Sequence, residues 1–196
     1  DLTQTRRPQD GKFRFQHGAK TVDIRLSTIP TVTGENVVMR LLSSASKLGT
    51  LAQLGFPGDM ATRVEEILEN PYGMVLVTGP TGSGKSTTIA SMMDSVVQSR
   101  RCHVITLEDP VEFVYRGGRA LVNQREVGLH TKSFAAALRA ALREDPDVIL
   151  VGEMRDADTM ALTLEAAATG HLVFATAHTS TAATTVDRIV ATFTGS

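Results

Sequence analysis

The chain is short of cysteine, of long apolar runs and of net charge, and each shortage removes a class of function. A single thiol, Cys102, leaves no intrachain disulfide and no cysteine-based zinc site, which fits a reducing compartment. No apolar run approaches the ~20 residues that cross a bilayer, and no signal-peptide pattern opens the chain. A net charge of −1 over 196 residues gives no electrostatic reason to expect DNA, RNA or an anionic membrane as the main partner. Repeats and low-complexity tracts are also missing. What is there, 42% hydrophobic and 21% charged residues, is the composition of an ordinary globular protein. The length suits one well-buried core and a small second domain. Opening at Asp1 rather than Met, the chain is expected to be a piece of a longer protein.

Two regimes of hydrophobic pattern divide it. From Lys12 to Leu42 the period is two: Phe13 and Phe15, then Val22, Ile24 and Leu26, then Val37, Met39 and Leu41. Such alternation predicts half-buried strands, with turns at Gly18 and Thr33-Gly34 and a wet face carrying Asp23, Arg25 and Arg40. Residues 43–58, richer in Ser, Gly and Ala, read as a linker. Asp59 reads as the N-cap of a helix whose apolar face is Met60, Val64, Ile67 and Leu68. From Met74 the grammar changes to strand, helix, strand, helix. Met74–Val77, Val104–Leu107, Val148–Val151 and Leu172–Ala175 are nearly continuous apolar runs, as strands covered on both faces require. Helical stripes lie between them: Ile89, Met92, Met93, Val96 and Val97; Phe134, Leu138, Ala141 and Leu142; and the helix formers of Asp156 to Ala168. The expected fold class is α/β with a mostly parallel sheet.

Between the first of those strands and the first stripe stands Gly79-Pro80-Thr81-Gly82-Ser83-Gly84-Lys85-Ser86, which meets G-x-x-x-x-G-K-[ST] at every required position. A β- or γ-phosphate needs several converging donors, and the amides of a tight loop supply them. Gly79, Gly82 and Gly84 allow positive φ and close approach. The loop ends at a helix N-terminus, which favours anions. Lys85 adds a point charge for the β- and γ-phosphates, Ser86 an oxygen for Mg²⁺, and Thr87 a hydroxyl for the α-phosphate.

Transfer of a phosphoryl group to water further calls for a carboxylate near Mg²⁺ and a group that orients the water. Two acidic stretches follow predicted strands, where ligands bind in open α/β sheets. One is Glu108-Asp109-Pro110-Val111-Glu112; the other is Glu153, after a Gly152 expected to permit close approach of the nucleotide. His171 and His178 flank the Leu172–Ala175 strand. Their spacing does not suit metal ligation, whereas a histidine beside a γ-phosphate can donate a hydrogen bond to it.

GPTGSGKSTT, TLEDPVEF, ALREDPDVILVGEMRD and TGHLVFATAHTS, in that order, resemble the secretion ATPases of type II secretion and type IV pili, the GspE, PilB and PilT proteins. RRPQDGKF and VDIRLSTIPTVTGENVVMRLL resemble the end of the N-terminal domain of the same family. The resemblance implies a RecA-like ATPase core over residues 59–196, joined by the 43–58 linker to the C-terminal part of a smaller PAS-like domain at residues 1–42. It implies ATP and Mg²⁺ as ligands, with Glu108 and Asp109 beside the nucleotide, Glu112 as catalytic glutamate and Glu153 as the Walker B acid. His171 and His178 would form a histidine box, and Arg25 and Arg40 would reach the phosphates when the N-terminal domain closes. It further implies a homo-hexamer on the cytoplasmic side of the inner membrane, acting on a membrane platform protein. A helical region beyond Ser196 belongs to the same pattern. The rival reading is a nucleic-acid or conjugation-type RecA-like motor. The near-neutral charge and the lack of a basic, aromatic strip argue against it. A module that binds nucleotide without hydrolysing it is the third.

Overall fold

The computed structural model describes residues 3–18, 20–43 and 48–195, without the side chains of 20, 21, 23, 42 and 43. It divides into two compact units at 47/48. In the first, β1 (Gln9–His17), β2 (Lys20–Thr31) and β3 (Gly34–Ser43) form an antiparallel sheet in that order. Residues 32 and 33 make the turn into β3, and Gly34 follows at φ 127°. The register sets Phe13 opposite Ile24 and Ile24 opposite Leu41, while Lys12 faces Arg25 and Arg25 faces Arg40. Cross-strand partners share a face. One face is therefore apolar around the buried Ile24 and the other carries a row of three cations, but the expected half-burial holds only in part: Phe13, Phe15, Val37, Met39 and Leu41 stay exposed. The wet-face expectation for Asp23 concerns a side chain outside the described residues.

The second unit is built on a five-stranded sheet in the order β4-β8-β7-β5-β6. Its strands are β4 (Gly73–Thr78), β5 (His103–Glu108), β6 (Leu121–Glu126), β7 (Val148–Val151) and β8 (Leu172–Ala177). Every neighbouring pair runs parallel. The helices are α1 (Gly58–Leu68), α2 (Lys85–Ser99), α3 (Phe134–Ala141), α4 (Ala157–Ala168) and α5 (Ala182–Thr194). The apolar runs alternate between two cores. Val104, Val148, Leu150, Leu172 and Phe174 pack with Met93, Val96 and Val97 of α2. Ile105, Leu107, Ile149, Val151, Val173 and Ala175 pack with Leu138 of α3 and Met160 of α4. Burial on both sides explains why these strands lack a polar period.

Three local expectations change. Helix α1 is capped by Pro57, at φ −54° and ψ 145°, and Asp59 lies inside the first turn. There its carboxylate still suits the positive end of the helix dipole. The buried face of α1 is Ala61, Val64 and Leu68, and Met60 and Ile67 stay exposed. Of the stretch expected as linker, 44–47 lies outside the described residues. From Leu48 onward it belongs to the second unit, where Leu48, Leu51 and Phe56 join the core under α1 and α2. Among the described residues no helix is long and apolar enough to cross a membrane.

Candidate functional site

Strand β4 ends at Thr78 and α2 begins at Lys85, so six residues turn the chain from sheet to helix. Gly79, Gly82 and Gly84 take φ of 148°, 81° and 90°, the region a Cβ disfavours. A Cβ on Gly79 would stand 2.7 Å from Ser83 Oγ. Gly84 is the N-cap of α2 and offers no side-chain cap, leaving the first amides of the helix to an anion. Pro80 and Ser83 shape the turn, with Ser83 N donating to Pro80 O at 3.2 Å. The Lys85 side chain is folded into its own loop, where Nζ donates to Gly79 O at 2.8 Å and Pro80 O at 3.0 Å. Thr81, Gly82, Gly84, Lys85, Ser86 and Thr87 line a cleft of about 490 Å³.

The same cleft is lined by Glu108 at the end of β5, Asp109 and Glu112 after it, Glu153 after β7 and His178 after β8. The loops at the C-terminal ends of these strands thus converge on the phosphate loop, as the parallel sheet requires. Glu112 is exposed to the cleft. Glu108 is not: it is 8% exposed, and its Oε1 accepts from Thr106 Oγ1 at 2.6 Å and Gln124 Nε2 at 3.2 Å. Burial pushes its carboxyl above the ordinary carboxylate range, while the bonds from Thr106, Gln124 and the Glu112 backbone oppose that rise. Glu108 therefore braces the loop from below. It also lines the cleft, beside Asp109.

Glu153 sits in an ionic cluster. Arg155 Nε reaches its Oε2 at 2.6 Å, His178 Nε2 stands 3.2 Å from its Oε1, and Arg155 Nη1 lies 3.8 Å from Asp109 Oδ2. Gly152 lines the cleft and also lets β5 come close: a Cβ there would meet Leu107 O at 3.0 Å and Glu108 Cα at 3.3 Å. Its amide donates to Leu107 O at 2.7 Å. Thr176 Oγ1 donates to Gly152 O and fixes the strand end from the other side.

His171 is not in the cleft. It precedes β8 and His178 follows it, so the six residues of the strand separate them by roughly 20 Å, the height of the sheet. His171 Nδ1 pairs with Ala166 O at 2.9 Å, a helix-end contact. Arg25 and Arg40 are cross-strand neighbours in the first unit.

Arg155, Thr106, Gln124 and Glu126 are site residues that sequence reasoning passed over. Arg155 had a signal, its position two residues past Glu153 in an acidic turn. The other three lie inside strands and carry none. For Mg²⁺ the oxygens that fit are Ser86 Oγ and the Glu153 carboxylate, which line the same cleft. No three His, Cys, Asp or Glu among the described residues gather as a metal cage.

The family model described as "Type II/IV secretion system protein" matches residues 1–193. The chain is 47% identical over 190 residues to the type IV pilus assembly ATPase PilB of Thermus thermophilus, covering 96% of this chain and 21% of that protein. It is 54% identical over 160 residues to the pilus retraction ATPase PilT of Pseudomonas aeruginosa, covering 82% of this chain and 45% of that one. Among solved structures, a crystal structure of the retraction motor PilT with bound ADP superposes with a TM-score of 0.84 at 48% identity. That match covers 96% of this chain and 52% of the other. The chain thus spans at most about half the length of these relatives.

Proposed function

Since the chain belongs to the type II/IV secretion system protein family, we propose that it is the nucleotide-hydrolysing part of a motor ATPase that powers type IV pilus assembly or retraction, or type II secretion. The observation that carries the reading is the convergence of the Gly79–Thr87 loop, Glu112, Glu153 and His178 on one cleft. The loop amides and Lys85 bind the β- and γ-phosphates, and Thr87 the α-phosphate. Glu112, exposed at the rim, orients the attacking water. His178, already paired with Glu153, donates toward the γ-phosphate. Ser86 and Glu153 would hold magnesium, whose charge would offset that of the phosphates. Arg25 and Arg40 are assigned to the phosphates on the family resemblance, and alanine at either is expected to lower turnover.

The working assembly is a homo-hexamer at the cytoplasmic face of the inner membrane, pushing on a platform protein. This assembly rests on the family resemblance of the sequence, and sedimentation of the intact protein with and without nucleotide tests the ring. For the chemistry, the test is steady-state ATP hydrolysis by the intact protein with magnesium. Lys85→Ala is expected to reduce it about 100-fold or more. Undiminished hydrolysis in that variant, or an intact protein that ignores ATP, removes the proposal.

A further inference from the structure

Residues 111–115 carry Glu112 but belong to no strand or helix, so their backbone groups have no ladder to satisfy them. Side chains of β5 and β6 take that role. Val111 N donates to Glu126 Oε2 at 3.3 Å, and the Glu112 amide bonds to the Glu108 carboxyl. Phe113 O accepts from Gln124 Nε2 at 2.8 Å, and Tyr115 N donates to Gln124 Oε1 at 3.1 Å. Tyr115 itself is 8% exposed and anchors the segment in the core beneath α2. The register explains the convergence. Thr106 pairs with Gln124 and Glu108 with Glu126, so these four polar side chains form one block on the same face of the parallel pair.

Gln124 is the centre of this block. Its amide spends both kinds of hydrogen-bonding capacity: Nε2 on the Glu108 carboxyl and Phe113 O, its oxygen on Tyr115 N. We propose that Gln124 is a positioning residue for hydrolysis, a clamp that fixes the backbone just after Glu112, at Phe113 and Tyr115, and braces the Glu108 carboxyl that holds the Glu112 amide, so that the Glu112 carboxylate meets the attacking water in one place. The inference rests on the reading of Glu112 as the water-orienting group. It assigns Gln124 no contact with nucleotide. Loss of the clamp therefore displaces Glu112 while leaving the phosphate loop, which is built on β4 and α2, unchanged.

The test measures ATP turnover and ADP affinity in the intact protein carrying Gln124→Met, which keeps length and bulk but loses the amide, and Gln124→Glu, which keeps the acceptor for Tyr115 N but removes both donors. Both are expected to lower kcat about 10- to 100-fold while KM for ATP and ADP affinity stay within about twofold, since the loop amides still bind phosphate. If Gln124→Met fails to fold, Gln124→Glu decides. A folded variant with wild-type kcat overturns the clamp, as does a loss of ADP affinity equal to the loss of kcat, which marks general collapse of the cleft. Glu112→Gln, run in parallel, separates the two claims. Normal turnover there sinks the assignment of Glu112, whereas an inactive Glu112→Gln beside a fully active Gln124→Met sinks only the clamp.

Discussion

The loop after β5 and the loop after β7 deliver carboxylates to the same cleft, but different forces hold them. The first is stitched down by hydrogen bonds from Glu108, Gln124 and Glu126, with Glu108 almost wholly out of water. The second is held at the surface: Arg155 pairs with Glu153, His178 Nε2 lies 3.2 Å from the same carboxylate, and their side chains are 59% and 45% exposed. Buried hydrogen bonds in a low dielectric define one geometry and resist change. Exposed ion pairs contribute little stability, are screened by salt and exchange partners readily. The difference suits the two tasks. In the proposed mechanism Glu112 has to be in place before water attacks, whereas Glu153 would exchange an arginine for the cation that comes with the nucleotide.

The comparison breaks most sharply at Glu112 itself. Glu112→Gln is expected to lower turnover about 100- to 1000-fold with nucleotide binding intact; a loss confined to KM would place the residue in binding. A smaller but structural effect is expected where the two loops meet. Gly152→Ala puts a methyl against Leu107 O and Glu108 Cα and should destabilise the fold by about 1–3 kcal/mol in denaturant unfolding. An unchanged midpoint would mean that β5 and β7 separate freely.

Next comes a pH effect specific to the first loop. Because burial raises the Glu108 carboxyl above its ordinary value of 4.5, the native state holds that proton more tightly than the unfolded chain. The stability linked to this proton is present at acid pH and is lost as pH rises through the native value. Glu108→Gln cannot titrate, so the stability of the wild type relative to this variant should fall from acid pH toward neutrality. A difference independent of pH would show that Glu108 is not held protonated by its site. The smallest effect belongs to the second loop. Arg155→Ala should change stability by no more than about 1 kcal/mol while lowering the magnesium concentration needed for tight nucleotide binding, because Glu153 loses a competing cation. An increased magnesium requirement would reverse the role given to Arg155.

How much of this was legible depends on whether the cause was local. The phosphate loop was legible entirely from its residues, since the turn, the positive φ angles and the helix start all lie within Gly79–Ser86. Strands β5, β7 and β8 were legible because burial on both faces leaves an unbroken apolar run, and β4, only half-buried, carries such a run as well. Strand β6 was missed for the opposite reason: at the sheet edge its inward residues include Gln124 and Glu126, so it reads as a polar loop. Helix α5 was missed because it opens with threonines, which here form a capping box at Thr181 and Thr184. His171 was grouped with His178 as a histidine box on the family resemblance, while the strand they flank carries the two to opposite ends of the sheet. The support beneath Glu112 could not be foreseen at all, because it depends on a register between β5 and β6 that no local pattern specifies.

Lys85 braces the loop it serves, its ammonium resting on two carbonyls of the turn. A charge already stripped of most of its water and held to one rotamer gives up little freedom when a phosphate arrives, so more of the attraction survives as affinity. Truncating that side chain also strands two carbonyl oxygens. A lysine variant therefore reports on the loop's shape together with the missing cation, and the two losses separate only when unfolding and nucleotide affinity are measured side by side.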